Sequence, residues 1–350
     1  MIFRTFSQSI AGALLLGAAL GSPFISSAAY AQAGGYRVLH HWTVGGEGGW
    51  DYLEVDAATH RLYLAHNSTV NVVDTDTGKS VGAITGLQST HGIALDPTGK
   101  YGYISDGKGN AIVVFDRHSL AKIATVPAGT NPDGIAYEPV TKTVWAFNGR
   151  SGDVSVLSTA TNKIVATVKL PGKPEFPVAD GKGFVFDNIE DKNEIVKLDA
   201  HTNKLVATYP LEGCDAPSGL AMDRKGRRLF SMCDSKVMTI TSADTGKVMA
   251  TAPIGDGPDA DRYDPKHNLA FSPNGESGDM TIVDAHGAKP TVLQTLKTAP
   301  GARTMALDEM TGRVYTMTAQ FGPKPAPSAS NPHGRPTPVP GSFEVIEIGR

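Results

Sequence analysis

Short apolar runs rich in Val, Ile and Thr recur along the chain, separated by Gly, Asn and Asp, and no 3.6-residue period is sustained through them. Seven segments share one form, an apolar stretch closed by an acid just before a turn. They are 51–56, 91–96, 133–138, 175–180, 218–223, 259–264 and 303–308, with first residues 40 to 44 positions apart. After each comes a tight turn, a second apolar run such as 143–148, a third such as 111–116 or 153–158, and a fourth such as 163–169. Every unit reads as four antiparallel strands.

A four-stranded unit of this length cannot cover its own faces, and seven copies in a row predict blades stacked around an axis. The inner strands carry Gly92, Ala94, Gly134, Ala136, Gly219 and Ala221, as crowding near the axis requires. The seventh unit supplies an inner strand at 303–308, a second at 313–318 and a third at 343–349, then ends. Its missing strand is expected from 36–45, which would leave no open edge. The expected fold is an all-β, seven-bladed β-propeller of four-stranded antiparallel blades, the last closed by the N-terminal strand.

The 39 Gly and 23 Pro among 350 residues suit a chain of many tight turns. A hydrophobic share of 40% allows a large core and excludes a disordered or collagen-like chain. A net charge of -3 provides no global field for polyanions, and no basic run carries interleaved aromatics, so no nucleic-acid partner is expected. At the N-terminus, Arg4 precedes an apolar run from Ile10 to Gly21, followed by small residues ending in two A-x-A patterns up to Ala33. This reads as a secretory leader over 1–33, with 34–350 as the mature propeller. The run is too short to span a bilayer, so no membrane span is expected after cleavage. A periplasmic or secreted location is expected, and a monomer. Cys214 and Cys233 fall at one corner of blade five, and export to an oxidising compartment favours a disulfide between them, the alternative being a thiolate or copper site with the adjacent Met232.

The stretches 126–139, 71–84 and 153–168 resemble the repeat of YVTN-type propellers, the bacterial YncE-like group. The resemblance covers essentially all of the mature chain and implies the propeller fold. It does not select among binding, catalytic and scaffolding roles.

Loops leading into the inner strands share the top face with those joining second to third strands, and they are varied and polar where the bottom turns are short and repetitive. The first inner-strand residues, Asp51, His91, Asp133, Glu175, Ser218, Asp259 and Arg303, are expected around the mouth of the central channel. Asn67, Asp106, Asn148, Asn188, Asp234 and Asn274 end the second strands and join the same rim, or else serve only as turn acceptors. Four converging carboxylates repel unless a cation, a proton or Arg303 compensates, so the mouth is expected to bind a small polar ligand or a divalent cation, Ca2+ or Mg2+. No organic cofactor is expected. Glu175, Asn148 and Asn188 are similar in residue type to the calcium site of gluconolactonase-type propeller hydrolases. That similarity implies a metal-dependent lactonase or esterase with His91 or Asp133 handling protons. The third option is a scaffold for another periplasmic protein.

Trp50 stands where four sibling units have Pro, and either walls the site or packs between blades. Glu54, Asp261 and Arg262 place charge inside inner strands and either line a wet channel or form internal ion pairs. A Pro-rich insertion at 322–341, with Lys324, His333 and Arg335, is either a lid over the mouth or a solvated loop.

Overall fold

The computed structural model describes residues 35–326, 328 and 336–350. The expected leader at 1–33, together with His333 and Arg335 of the insertion, lies outside the described residues. Tyr36–Arg350 forms one compact unit built of seven four-stranded antiparallel sheets.

Each sheet takes its strands in chain order from the axis outward, except the seventh. There the inner strand Met305–Asp308 is followed by Arg313–Thr318, Glu344–Gly349 and, outermost, the N-terminal strand Arg37–Thr43. The closing strand is thus the expected one, trimmed at both ends. Tyr36 ties this end to blade six, donating its N–H to Gln294 Oε1 at 3.0 Å and accepting from Gln294 Nε2 at 2.7 Å.

Between neighbouring blades the second and third strands interlock large side chains. Trp145, Tyr63, Tyr103, Tyr315, Phe115 and Phe230 are fully buried there. The inner strands pack too closely for side chains at some positions. A Cβ on Gly134 would sit 2.1 Å from the Glu175 carbonyl oxygen, and one on Gly92 would sit 2.7 Å from Ile135 Cγ2. Glycine is required at these two points by the next blade. The acid closing each repeat holds the bottom turn. Glu138 accepts from the N–H groups of Val140 and Thr141, and Asp308 from those of Met310 and Thr311.

In blade six the inner strand is only Arg262–Asp264, preceded by a single bridge between Pro258 and Asn274. Asp259 and Asp261 therefore lie in the loop leading into that strand, and Arg303 likewise precedes the blade-seven strand. No helix among the described residues is long and apolar enough to cross a membrane.

Candidate binding site at the channel mouth

The mouth is made by one backbone device repeated in successive blades. In blade one the pairing shifts from Trp50 with His66 to Leu53 with Leu64, so the inner strand carries one extra residue. Blades two to five shift at the equivalent point, between Thr90 and Ile93, Pro132 and Ile135, Pro174 and Pro177, and Pro217 and Leu220. Such a bulge frees a residue from the ladder and re-aims its side chain. The freed positions begin with Asp51, His91, Asp133, Glu175 and Ser218.

These side chains form a charge lattice. His91 Nδ1 lies 2.5 Å from Asp51 Oδ2 and 3.6 Å from Asp133 Oδ1. Arg303 donates from Nε to Asp259 Oδ2 at 2.7 Å and from Nη2 to the Trp50 carbonyl at 2.8 Å, and Nη2 lies 3.9 Å from Asp51 Oδ1. Lys173 Nζ is 2.5 Å from Glu175 Oε1 and also pairs with Glu190. Three of the four carboxylates thus own a cation. Asp133 does not, because its nearest cation is His91 and that group is hydrogen-bonded to Asp51.

Electrostatics follow this pairing. Burial disfavours a charged His91, but the Asp51 hydrogen bond and the Asp133, Asp51 and Asp106 carboxylates outweigh it and push the ring up to about 9. His91 therefore carries a proton at neutral pH and is no general base there. Burial, then the Asp51 charge, raises Asp133 well above the usual carboxylate range, with His91 opposing. Glu175 is pulled both ways, since burial and Asp133 favour its protonated form and Lys173 its carboxylate. With the ammonium in contact, and with Glu175 and Glu190 holding Lys173 charged against its burial, we assign an ion pair. Burial also raises Asp259, against the pull of Arg303.

The remaining expected residues hold the scaffold. Ser218 Oγ donates to the Pro258 carbonyl. Asn188 Nδ2 donates to the carbonyls of Ser218 and Gly219, and its Oδ1 accepts from Ser231 Oγ. Asn148 Nδ2 donates to Asp153 Oδ1 and Ser155 Oγ. Asn148 thus pins strands of its own blade and Asn188 locks onto blade five, and the cation found against Glu175 is Lys173. The set that does converge is Asp51, His91 and Asp133, with one donor atom from each lying within 4.8 Å of the others.

The rim frame read from the sequence is also one residue off in three blades. The positions paired with the residue before the bulge are His66, Asp106, Asn148, Ile189 and Cys233. Asn67, Asn188 and Asp234 each fall one residue beside that frame. In three blades the occupant staples the loop that leads into its own blade: Asp106 accepts from the N–H of Gln88 and Ser89, and Thr318, at the equivalent place in blade seven, donates to the Pro300 carbonyl. Cys233 does so covalently through its disulfide to Cys214, with Cα atoms 5.3 Å apart.

Trp50 is buried, tilted against Phe321 and Phe343, so it packs between blades. Its carbonyl and its ring, 5.9 Å from the guanidinium carbon, position Arg303. The stem of the insertion is held by Gly322 N–H to the Thr337 carbonyl at 2.9 Å and Val339 N–H to the Gln320 carbonyl at 2.7 Å, while Lys324 is exposed. Sequence reasoning passed over Lys173. Its signal was available, because it is the only charged residue two places before the first inner-strand position in any of the seven units.

No protein-family profile matches the chain. It is 24% identical over 287 residues to the uncharacterized protein YncE of Salmonella typhi, a match covering 76% of this chain and 68% of that protein. Among solved structures it is similar to U3-55K (TM-score 0.72, 11% identity, 90% of this chain and 98% of that one). It is also similar to a chain of the mitotic checkpoint complex (TM-score 0.72, 13% identity, 98% of each chain). A third similarity is to Kuenenia stuttgartiensis hydrazine synthase (TM-score 0.51, 15% identity, 69% of this chain and 96% of that one). At these identities the solved structures speak to fold alone. The sequence match and the seven closed blades agree with the resemblance of this chain to the YncE-like β-propellers.

Proposed function

We propose that this propeller is an exported binding protein whose top mouth takes a small polar ligand, with a divalent cation as the occupant its donors support best. The observation that carries this reading is the convergence of Asp51, His91 and Asp133 from three consecutive blades, with Asp133 lacking a cation of its own. Their side chains are 16% to 20% exposed, open enough for exchange with solvent and dry enough for a charge to matter. Two carboxylates and an imidazole, which gives up its proton as the ion binds, suit a first-row ion such as Mn2+ or Zn2+ better than the all-oxygen Ca2+ or Mg2+ sites expected from residue types. Export is supported by the Cys214–Cys233 disulfide.

A hydrolase is less well supported. Asn148 and Asn188 are committed to holding strands, and His91 is protonated at neutral pH. The test is Mn2+ binding followed by loss of the free-ion electron paramagnetic resonance signal. One saturable site per chain is expected in the wild type, weakened at least tenfold in Asp133→Asn and His91→Gln. A wild type that leaves the free-ion signal unchanged refutes the cation reading.

A further inference from the structure

We propose that the lower half of the channel is a second, separate binding site, for a small carboxylate with an aromatic or aliphatic body, anchored by Arg262. The channel holds a chamber of about 500 Å3 that none of the mouth residues Asp51, His91, Asp133, Glu175, Asp259 or Arg303 lines. That volume is typical of small-molecule sites. Tyr52 and Phe176 line its upper part, meeting edge to face with centroids 4.9 Å apart. Arg224, Lys225, Pro265 and Glu309, from bottom turns, line the other end.

The chamber exists because of one register position. Opposite the second-strand aromatics Tyr103, Trp145, Phe230 and Tyr315 stand Ala94, Ala136, Ala221 and Ala306. Val178 fills the same place in blade four. Small side chains at this level leave the axis hollow. In the two remaining blades the same position holds Glu54, opposite Tyr63, and Arg262, opposite Phe271. Two of the three charges that broke the repeat pattern therefore face each other across blade seven at one depth, with Arg262 Nη2 3.2 Å from Glu54 Oε2.

Arg262 is only partly engaged. Nη1 donates to the Asp261 carbonyl at 2.8 Å, and the guanidinium carbon lies 5.0 Å from the Phe176 ring centroid. A guanidinium offers five donors in a planar fork suited to carboxylate, and these contacts leave several free. Ile93, Leu95, Met222 and Leu307 supply apolar wall for the body of such a ligand. Glu54, Asp261 and Glu309 balance Arg224, Lys225 and Arg262 in the lining, so selection for a carboxylate falls on the free part of the Arg262 fork rather than on net charge. This inference does not rest on the proposed cation site.

The probe is 4-fluorobenzoate, followed by fluorine NMR titration of the protein, with neutral 4-fluorobenzyl alcohol as control. We expect one saturable carboxylate site, with affinity reduced at least tenfold in Arg262→Met and also lost in Ala136→Phe, which fills the chamber. Binding is expected to persist in Asp133→Asn, which separates this site from the mouth. If Arg262→Met does not fold, Ala136→Phe and the rim variant Lys225→Glu carry the test. Absence of saturable binding in the wild type overturns the proposal. So does equal affinity for the alcohol, or affinity unchanged in Arg262→Met or, failing that, in Ala136→Phe.

Discussion

The two ends of the channel are built from the same seven strands by opposite means. At the top, a bulge at the first position frees polar side chains, and the result is crowded with charge. Three positions further along, small residues leave a hollow with one charge pair in it. The top is acidic, with a carboxylate lacking its own cation; the charges lining the lower chamber balance. A repeat can therefore carry two unrelated chemistries on one axis, because side chains at different depths of a strand vary independently while the backbone stays fixed.

The largest effect should come from testing how differently the two levels tolerate volume. Gly134→Val sets a side chain against the Glu175 carbonyl, which cannot yield without moving a blade. We expect a loss of about 3 kcal/mol or more in urea unfolding. Ala136→Leu, two residues below, enters the chamber and should cost about 1 kcal/mol or less. Equal costs would mean that the chamber is not open space.

Next in size is reduction of Cys214–Cys233, which staples a top loop that blades two and seven hold with hydrogen bonds from Asp106 and Thr318. Removing this cross-link should destabilise the protein by about 3 kcal/mol on chain-entropy grounds. The variant Thr318→Val, at the equivalent position of blade seven, should cost only about 1 kcal/mol.

The pH response sharpens the contrast further. Because folding raises His91 from 6.5 to about 9, its contribution is fully present below about pH 6.5 and is lost as pH rises through about 9. The raised Asp133 tilts stability in the same direction, starting at lower pH. In chelator, stability should fall by about 2 kcal/mol over the His91 window, and the fall should shrink in Asp51→Asn. The smallest effect is expected from neutralising single acids. Asp133→Asn removes repulsion and should gain up to about 1 kcal/mol in chelator, whereas Glu54→Gln strips Arg262 of its partner and should cost about that much.

Much of this was legible in the sequence because a propeller repeats its local rules. The 40-to-44-residue period, the acid before each bottom turn and the inner-strand glycines each have one local cause, and together they fix blade number and closure. The ring Asp51, His91, Asp133, Glu175, Asp259 and Arg303 was readable for the same reason. What was not readable depends on register between strands. Asn188 sits one residue from Ile189, yet that step takes it from the rim into an interblade lock. Glu54 and Arg262 were visible as anomalies, but their meeting at one depth emerges only when pairing with Tyr63 and Phe271 is known. Lys173 precedes its strand, and its signal, the one charge two places before an inner-strand start, shows only when the seven units are aligned beyond the strands themselves.

The central claim is that the mouth is an incomplete charge lattice awaiting a cation. It is tested most directly by thermal unfolding of the protein, first in excess chelator and then across a Mn2+ titration, beside Asp133→Asn. The account predicts a saturable rise in the wild type, worth about 2.7 kcal/mol at a hundred times the dissociation constant, and almost none in the variant. No rise, or the same rise in both proteins, would contradict it.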